Sequence, residues 1–135
     1  MTKEASRRVR RFSRAVATAL DKSKIIGVRA GLQSPHRFIG IWVVVVAGRV
    51  FARSWTRRPD GWFAAFLEDP LGVIEMGSGR IRVRAVRASG IRDAVERAYA
   101  QKYSTPASLK DVRGFRTPRR RDTTIEFIPL GVLRK

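Results

Sequence analysis

The stretch RFIGIWVVVV, residues 37–46, carries the strongest strand signal in the chain. Every side chain from Ile41 to Val46 is apolar, which is typical of a strand covered on both faces, so the sequence predicts a central strand here. Ala47-Gly48 follows and predicts a tight turn, because glycine adopts a positive φ without steric cost. Residues 49–55 then return as a second strand, with arginines and aromatics on one face.

Periodicity and turn residues predict the remaining elements around this hairpin. Further strands are expected over residues 24–30, 72–76, 80–87 and 123–130, and helices over residues 7–20, 61–68 and 91–103. Asp60 and Ser89 are the expected N-caps of the second and third helices. Thr105-Pro106 predicts one short helical turn, and residues 114–121 read as a basic loop. Because short turns join most strands, the sequence predicts a mainly β, α+β fold whose antiparallel sheet curls into a barrel.

Composition excludes several classes of site. The chain of 135 residues has no cysteine and one histidine, His36, which rules out disulfides, cysteine ligands and a multi-histidine metal site within one chain. The longest apolar run is too short to span a bilayer, and residues 1–24 lack the apolar core of a secretion signal. We therefore expect a cytoplasmic protein with no metal and no membrane span.

A formal net charge of +18 favours anionic partners such as nucleic acid, membrane surfaces or phosphorylated small molecules. Six of the 29 basic residues are lysine, so 23 are arginine, a ratio that codon bias in a GC-rich genome would also produce. The sequence leaves open how much of the excess charge is functional. Arginine is nevertheless the better phosphate ligand, because its planar fork makes paired hydrogen bonds.

The usual catalytic signatures are missing from the sequence. It contains no dinucleotide-binding glycine fingerprint, no phosphate-cradling loop and no nucleophile elbow. The carboxylates number only 11, and His36 follows Pro35 in a turn-rich segment, which favours a surface position. Acid–base catalysis by side chains is therefore poorly supported, and a cofactor would have to carry the chemistry of an enzyme.

The most suggestive stretch, RSWTRRPDGWF at residues 53–63, joins a strand end, a polar loop and a helix start. The arginines Arg53, Arg57 and Arg58, together with the hydroxyl of Ser54, are candidates for a shared phosphate site. Trp55 or Trp42 is a candidate to flank a planar ring. The alternative is a solvated loop whose tryptophans belong to the core.

Sequence marks spread over the chain carry a family resemblance. They are Trp42-Val43-Val44, Arg53-Ser54-Trp55, Trp62-Phe63, Ala94 through Ala98-Tyr99, Lys102-Tyr103 and Thr123-Thr124-Ile125 running to Pro129. Their order, over residues 24–130, resembles the flavin-binding split β-barrel superfamily. Within it, the likeness is to the pyridoxamine-phosphate-oxidase-like and deazaflavin-dependent nitroreductase relatives, and particularly to a small uncharacterised family.

The resemblance implies a small antiparallel split β-barrel with flanking helices over residues 24–135, after a basic N-terminal helix over residues 1–23. It implies a phosphorylated flavin-type cofactor, FMN or a deazaflavin, in a homodimer that acts as an oxidoreductase on a small organic substrate. The cofactor phosphate would lie on Arg53, Ser54, Arg57 and Arg58 beside Trp55, and the rings along the backbone near Val44 and Val46.

Two other functions stay open at this point. The chain is a cofactor-free interaction domain that keeps the barrel, or it is a basic barrel that binds single-stranded nucleic acid. In the latter case the binding residues would be Arg53, Arg80, Arg82 and Arg84, with Phe51 and Trp55 as stacking platforms.

Overall fold

The computed structural model of the chain describes residues 11–77 and 79–130. In this part of the chain the strands are β1 (Ile26–Ala30), β2 (Ile39–Ile41), β3 (Val43–Val46), β4 (Arg49–Ala52), β5 (Leu71–Met76), β6 (Gly79–Arg87) and β7 (Ile125–Pro129). The helices are α1 (Arg14–Lys22), α2 (Trp62–Glu68), α3 (Arg92–Lys102), α4 (Pro106–Gly114) and α5 (Pro118–Arg121). None of these described helices has the length and apolar content needed to cross a bilayer.

The strands form one antiparallel sheet in the order β2-β1-β5-β6-β7-β4-β3. Its two outermost strands, β2 and β3, are joined by a single residue, Trp42. Because one residue cannot span an open sheet of this width, the sheet must curl until its two ends meet at Trp42. The expected antiparallel barrel with flanking helices, mainly β within an α+β fold, is thereby confirmed.

The prediction of one central strand over residues 41–46 is wrong. The run breaks at Trp42, and β3 pairs only with β4 at the end of the sheet. Its burial on both faces is real, since Val43 lies in the barrel core and Val44 packs outside the barrel against helices. A sequence that is apolar on both faces indicates that both faces are covered, and says nothing about neighbours at the strand's edges.

Two apolar clusters hold the fold together. The barrel interior contains Leu20, Ile26, Val28, Ile41, Val43, Val50, Ala52, Phe63, Phe66, Ile74, Val83, Ala85, Ile125 and Phe127. A second cluster lies between the outer face of β3–β4 and helices α3 and α4, and consists of Val44, Phe51, Val95, Tyr99, Tyr103, Val112 and Phe115. The fully buried Leu20 belongs to α1, so this helix is packed onto the barrel; the domain boundary at residue 23 stays a prediction.

The helix starts differ from the predicted ones. Ser13 caps α1 by accepting a hydrogen bond from the amide of Val16 at 3.2 Å, and residues 7–10 of the predicted helix lie outside the described residues. The predicted caps Asp60 and Ser89 are wrong, since α2 and α3 begin after Gly61 and Ile91 without a side-chain cap. The carboxylate of Asp60 instead pairs with the Arg58 guanidinium at 3.3 Å.

The segment after residue 104 is more helical than predicted. Thr105 caps a nine-residue helix, α4, where the sequence predicts one turn, and the predicted basic loop contains α5. Only Val112 of α4 is fully buried, so this helix lacks the apolar stripe on which a sequence-based prediction depends.

Candidate functional site

A cleft opens where the β3–β4 ladder ends. The last pair of this ladder is Val43 with Ala52, and beyond it the two segments separate. They line a cavity of about 440 Å³ together with the start of α2 and the side of α4. Its lining residues are Ile39, Gly40, Ile41, Trp42, Arg53, Ser54, Trp55, Thr56, Asp60, Gly61, Trp62, Asp111 and Phe115. We call this cavity the aromatic cleft.

The hydroxyl of Tyr99, from α3, separates the two segments. Continued by one step, the ladder would pair Trp42 with Arg53. Instead the Arg53 amide donates to the Tyr99 hydroxyl at 3.0 Å, and that hydroxyl donates to the Trp42 carbonyl at 2.9 Å. Burial raises the pKa of Tyr99, which keeps the phenol neutral and able to donate. The hydroxyl therefore replaces a direct strand–strand bond and holds the cleft open.

Arg53 is internal to the protein. Its Nε donates to Thr124 Oγ1 at 2.8 Å, and Nη1 donates to the Phe115 carbonyl at 3.1 Å and to the Glu96 carboxylate at 3.4 Å. Nη2 donates to the Arg92 carbonyl at 3.2 Å. Burial lowers the pKa of Arg53, and the charge of Glu96 opposes that shift. Protein oxygens therefore accept hydrogen bonds from four of the five N–H donors of this guanidinium, which gives Arg53 a structural role, and its contact with a phosphate stays a prediction.

Ser54 and Thr56 shape the loop that follows. The buried Ser54 hydroxyl donates to the Thr56 carbonyl and accepts from the Thr56 amide at 3.2 Å. The Ser54 amide donates to Thr123 Oγ1 at 2.7 Å, and the Arg58 amide donates to Thr56 Oγ1 at 3.1 Å. These local bonds fix the loop backbone. Because the Ser54 hydroxyl donates its proton to a carbonyl of the loop, that proton does not point into the cleft.

Trp55 forms a wall of the cleft and is 47% exposed. The Arg120 guanidinium lies 3.6 Å from the centroid of its ring, and the Phe115 ring meets it edge-on at 5.6 Å. Arg120 Nε also donates to the Trp55 carbonyl at 2.9 Å. A Cβ added at Gly114 would lie 2.4 Å from the indole, so the ring rests directly on this glycine.

Trp55 also lines a second cavity, of about 530 Å³, that we call the basic groove. Its lining residues are Trp55, Thr56, Arg57, Thr117, Pro118, Arg119 and Arg120. Among the described ion pairs none involves Arg57 or Arg119, whereas Arg58 pairs with Asp60 at the exposed rim. The structure thus brings together Trp55 and Arg57 of the predicted site and adds Arg119 and Arg120. The sequence signal for these two arginines was the basic segment at residues 114–121.

Other predicted residues lie apart from these cavities. Val44 is buried beneath α3, and Val46 packs at the edge of the same cluster, so neither lines the cleft or the groove as described. Of the predicted nucleic-acid set, Phe51 is fully buried and cannot stack on a base, and Arg80 pairs with Glu75 at 3.2 Å. The barrel therefore does not assemble that set into one surface.

The sequence matches the model of one known protein family. The family model that describes an "Uncharacterized protein conserved in bacteria (DUF2255)" matches residues 17–127. The chain belongs to the DUF2255 family. No curated protein matches this DUF2255 chain.

Solved structures resemble this DUF2255 barrel at low sequence identity. A conserved hypothetical protein from Mycobacterium tuberculosis is 12% identical with a TM-score of 0.54, over 89% of this chain and 81% of that one. A FAD-binding protein from Mesorhizobium loti is 14% identical with a TM-score of 0.48, over 93% of this chain and 94% of that one. The first likeness supports the assignment of the fold.

Proposed function

We propose that the chain binds a phosphorylated flavin-type cofactor, FMN or a deazaflavin, with the ring in the aromatic cleft and the phosphate in the basic groove. One observation carries the proposal: the two cavities share Trp55 and Thr56 as a common wall. A ligand with a planar apolar end and an anionic end would therefore meet a matching surface in each of the two adjoining cavities.

The cleft suits the planar end of such a ligand. Trp42, Trp62 and Phe115 supply aromatic surface, and the volume of about 440 Å³ falls within the range of small-molecule sites. The carboxylates of Asp60 and Asp111 also line this cavity and would repel a phosphate. Charge thus orients the ligand, because its phosphate is disfavoured in the cleft and favoured in the groove.

The groove suits the phosphate. Arg57 directly follows the shared wall, and its guanidinium has no carboxylate partner among the described residues. Arg58 is held only by an exposed pair with Asp60, and pairs of this kind contribute little, so Arg58 can turn toward a ligand at small cost. Arg120 is fixed on Trp55 and adds positive potential at the same place.

When bound, a flavin or deazaflavin ring supplies hydride transfer, and an oxidoreductase acting on a small organic substrate is the activity we propose on that ground. The part played by this chain is to bind the ring between aromatic side chains, orient it and exclude water from the cleft. The homodimer implied by the family resemblance stays a prediction, and sedimentation equilibrium of the purified protein tests it.

The test is a titration of tryptophan fluorescence with FMN, using Arg57→Ala and the matched control Arg82→Ala. Arg82 is an exposed arginine of β6 that lines neither cavity as described. We expect saturable quenching and at least about tenfold weaker binding for Arg57→Ala only, since one charge-assisted bond contributes about 1.5–3 kcal/mol. Thermal stability should be unchanged in both variants. Equal affinity of the wild type and Arg57→Ala would remove this phosphate site.

A further inference from the structure

A third cavity, of about 470 Å³, adjoins the aromatic cleft, and we call it the side cavity. The two cavities share Ile39, Asp60, Gly61 and Trp62 as lining residues. The volume of the side cavity falls within the range of small-molecule sites, and the proposed function leaves it unused. A molecule bound there would lie next to the occupant of the aromatic cleft.

Arg29, from β1, lines the side cavity and is short of hydrogen-bond acceptors. Its Nε is buried and has no partner among the described residues. Its one described side-chain bond runs from Nη1 to the His36 carbonyl at 3.5 Å, which is long for an N–H···O bond. Because a buried donor without an acceptor is costly, this arginine beside a cavity indicates that a molecule in the cavity supplies the acceptor.

Two other described arginines, Arg92 and Arg121, also have a buried Nε without a hydrogen-bond partner, but their surroundings differ. Arg92 forms an ion pair with Asp122 at 3.1 Å, and Arg121 forms one with Glu96 at 2.8 Å. None of the described ion pairs involves Arg29. Of these three arginines, Arg29 is also the one that lines a described cavity. The missing acceptor at Arg29 is therefore the one that a ligand can supply.

Aromatic packing holds the Arg29 guanidinium in place. Its Cζ lies 4.4 Å from the centroid of the Phe38 ring, and the Cζ of Arg80 lies 4.9 Å from the same centroid. Arg80 does not line the side cavity as described, and it pairs with Glu75 at 3.2 Å. A guanidinium that is already fixed against a ring loses little conformational freedom when it binds an anion. Arg80 also provides a matched comparison for Arg29.

The lining of the side cavity favours a ligand with one negative charge and an apolar body. Arg29 and Arg37 line it, but so do the acidic residues Asp60 and Glu68, which would repel a dianionic phosphate more strongly than a monoanion. Most of the other lining residues are apolar, Trp62 among them. A carboxylate carries one charge and matches the planar fork of an arginine.

We propose that the side cavity binds a small organic monocarboxylate, with the carboxylate on Arg29 and the apolar body beside Trp62. The inference rests on the proposed function in one respect: with a flavin ring in the aromatic cleft, this acid is the substrate class of the proposed oxidoreductase. Binding of the acid itself does not depend on a flavin.

The experiment compares benzoate with benzamide, which keeps the phenyl ring and lacks the charge, and with phenyl phosphate. Ligand-observed NMR titrations of the full chain measure the affinities in the wild type, in Arg29→Met and in the control Arg80→Met. Methionine keeps an unbranched apolar side chain against Phe38 and removes the donors. We expect the wild type to bind benzoate at least about tenfold more tightly than benzamide. Arg29→Met should abolish this preference, and Arg80→Met should keep it.

Three results would overturn the inference. One is equal affinity of the wild type for benzoate and benzamide, a comparison that needs no variant. Another is an equal loss of benzoate affinity in Arg29→Met and Arg80→Met, which would reflect general attraction of anions to a basic protein. The third is a larger effect of Arg29→Met on phenyl phosphate than on benzoate, which would make the cavity a phosphate site.

A second titration, with benzoate added to protein saturated with FMN, separates this inference from the proposed function. We expect benzoate to bind unhindered, because the ring and the acid occupy different cavities. Displacement of benzoate by FMN would place the acid in the aromatic cleft and refute the inference. If no flavin binds while benzoate binding still depends on Arg29, the proposed function fails and the carboxylate site stands.

Discussion

Removing the hydroxyl of Tyr99 tests how the cleft is built. In Tyr99→Phe the buried Arg53 amide and the part-buried Trp42 carbonyl lose their partner. If the backbone stays in place, two unsatisfied groups at about 1–3 kcal/mol each destabilise the fold by about 2–6 kcal/mol. If the two segments move together and pair directly, one bond is restored, the loss falls to about 1 kcal/mol, and the cleft narrows.

The two backbone responses predict different FMN affinities: an unmoved backbone keeps the cleft and its affinity, whereas a narrowed cleft weakens FMN binding. The assay combines urea denaturation with the FMN titration, and amide hydrogen exchange at Arg53 distinguishes the two backbone responses. Tyr103→Phe is the matched control: it removes a buried hydroxyl that donates to the Lys24 carbonyl at 2.7 Å, yet keeps the ring stacked on Trp42 at 4.1 Å. We expect this control to lose stability and keep its FMN affinity. Unchanged stability and unchanged FMN affinity in Tyr99→Phe would refute the reasoning.

Three further predictions follow from single residues. Burial lowers the pKa of Lys102 from 10.5 to about 8, so the unfolded chain binds more protons between these values and stability should rise from pH 8 to pH 10. Urea midpoints should show this rise in the wild type and not in Lys102→Met. Gly114→Ala places a Cβ 2.4 Å from the Trp55 ring, so we expect a shifted tryptophan emission and weaker FMN binding; an unaltered spectrum would contradict the packing. Ala47 has φ of 53° and precedes Gly48 at 77° in the hairpin turn, so Ala47→Asn should stabilise the fold by about 0.5–1 kcal/mol, and an unchanged or lower melting temperature would count against this turn geometry.

Local patterns in the sequence predict much of the fold. The hairpin from Val43 to Ala52 and its turn are correct because strand periodicity and glycine conformation act over a few residues. The break at Trp42 could not be predicted in this way. It depends on the sheet closing on itself, and closure is fixed by pairings between distant strands.

The candidate site was predictable only in part. Trp55 and Arg57 stand out in the sequence. The hydrogen bonding of the Arg53 guanidinium, in contrast, depends on Glu96 and Thr124, which lie 43 and 71 residues further along the chain. The basic groove forms because Arg120 contacts Trp55, which lies 65 residues earlier in the chain. No local pattern in the sequence reports contacts of this range.

The measurement that tests the central claim most directly is the titration of tryptophan fluorescence with FMN, a deazaflavin and a short single-stranded oligonucleotide at low and high salt. A one-to-one ligand seated in the aromatic cleft with its phosphate in the groove should quench saturably, and this quenching should survive high salt because few counterions are released. Quenching by the oligonucleotide alone, and only at low salt, would contradict the proposed function and leave the basic surface as the functional feature of the protein.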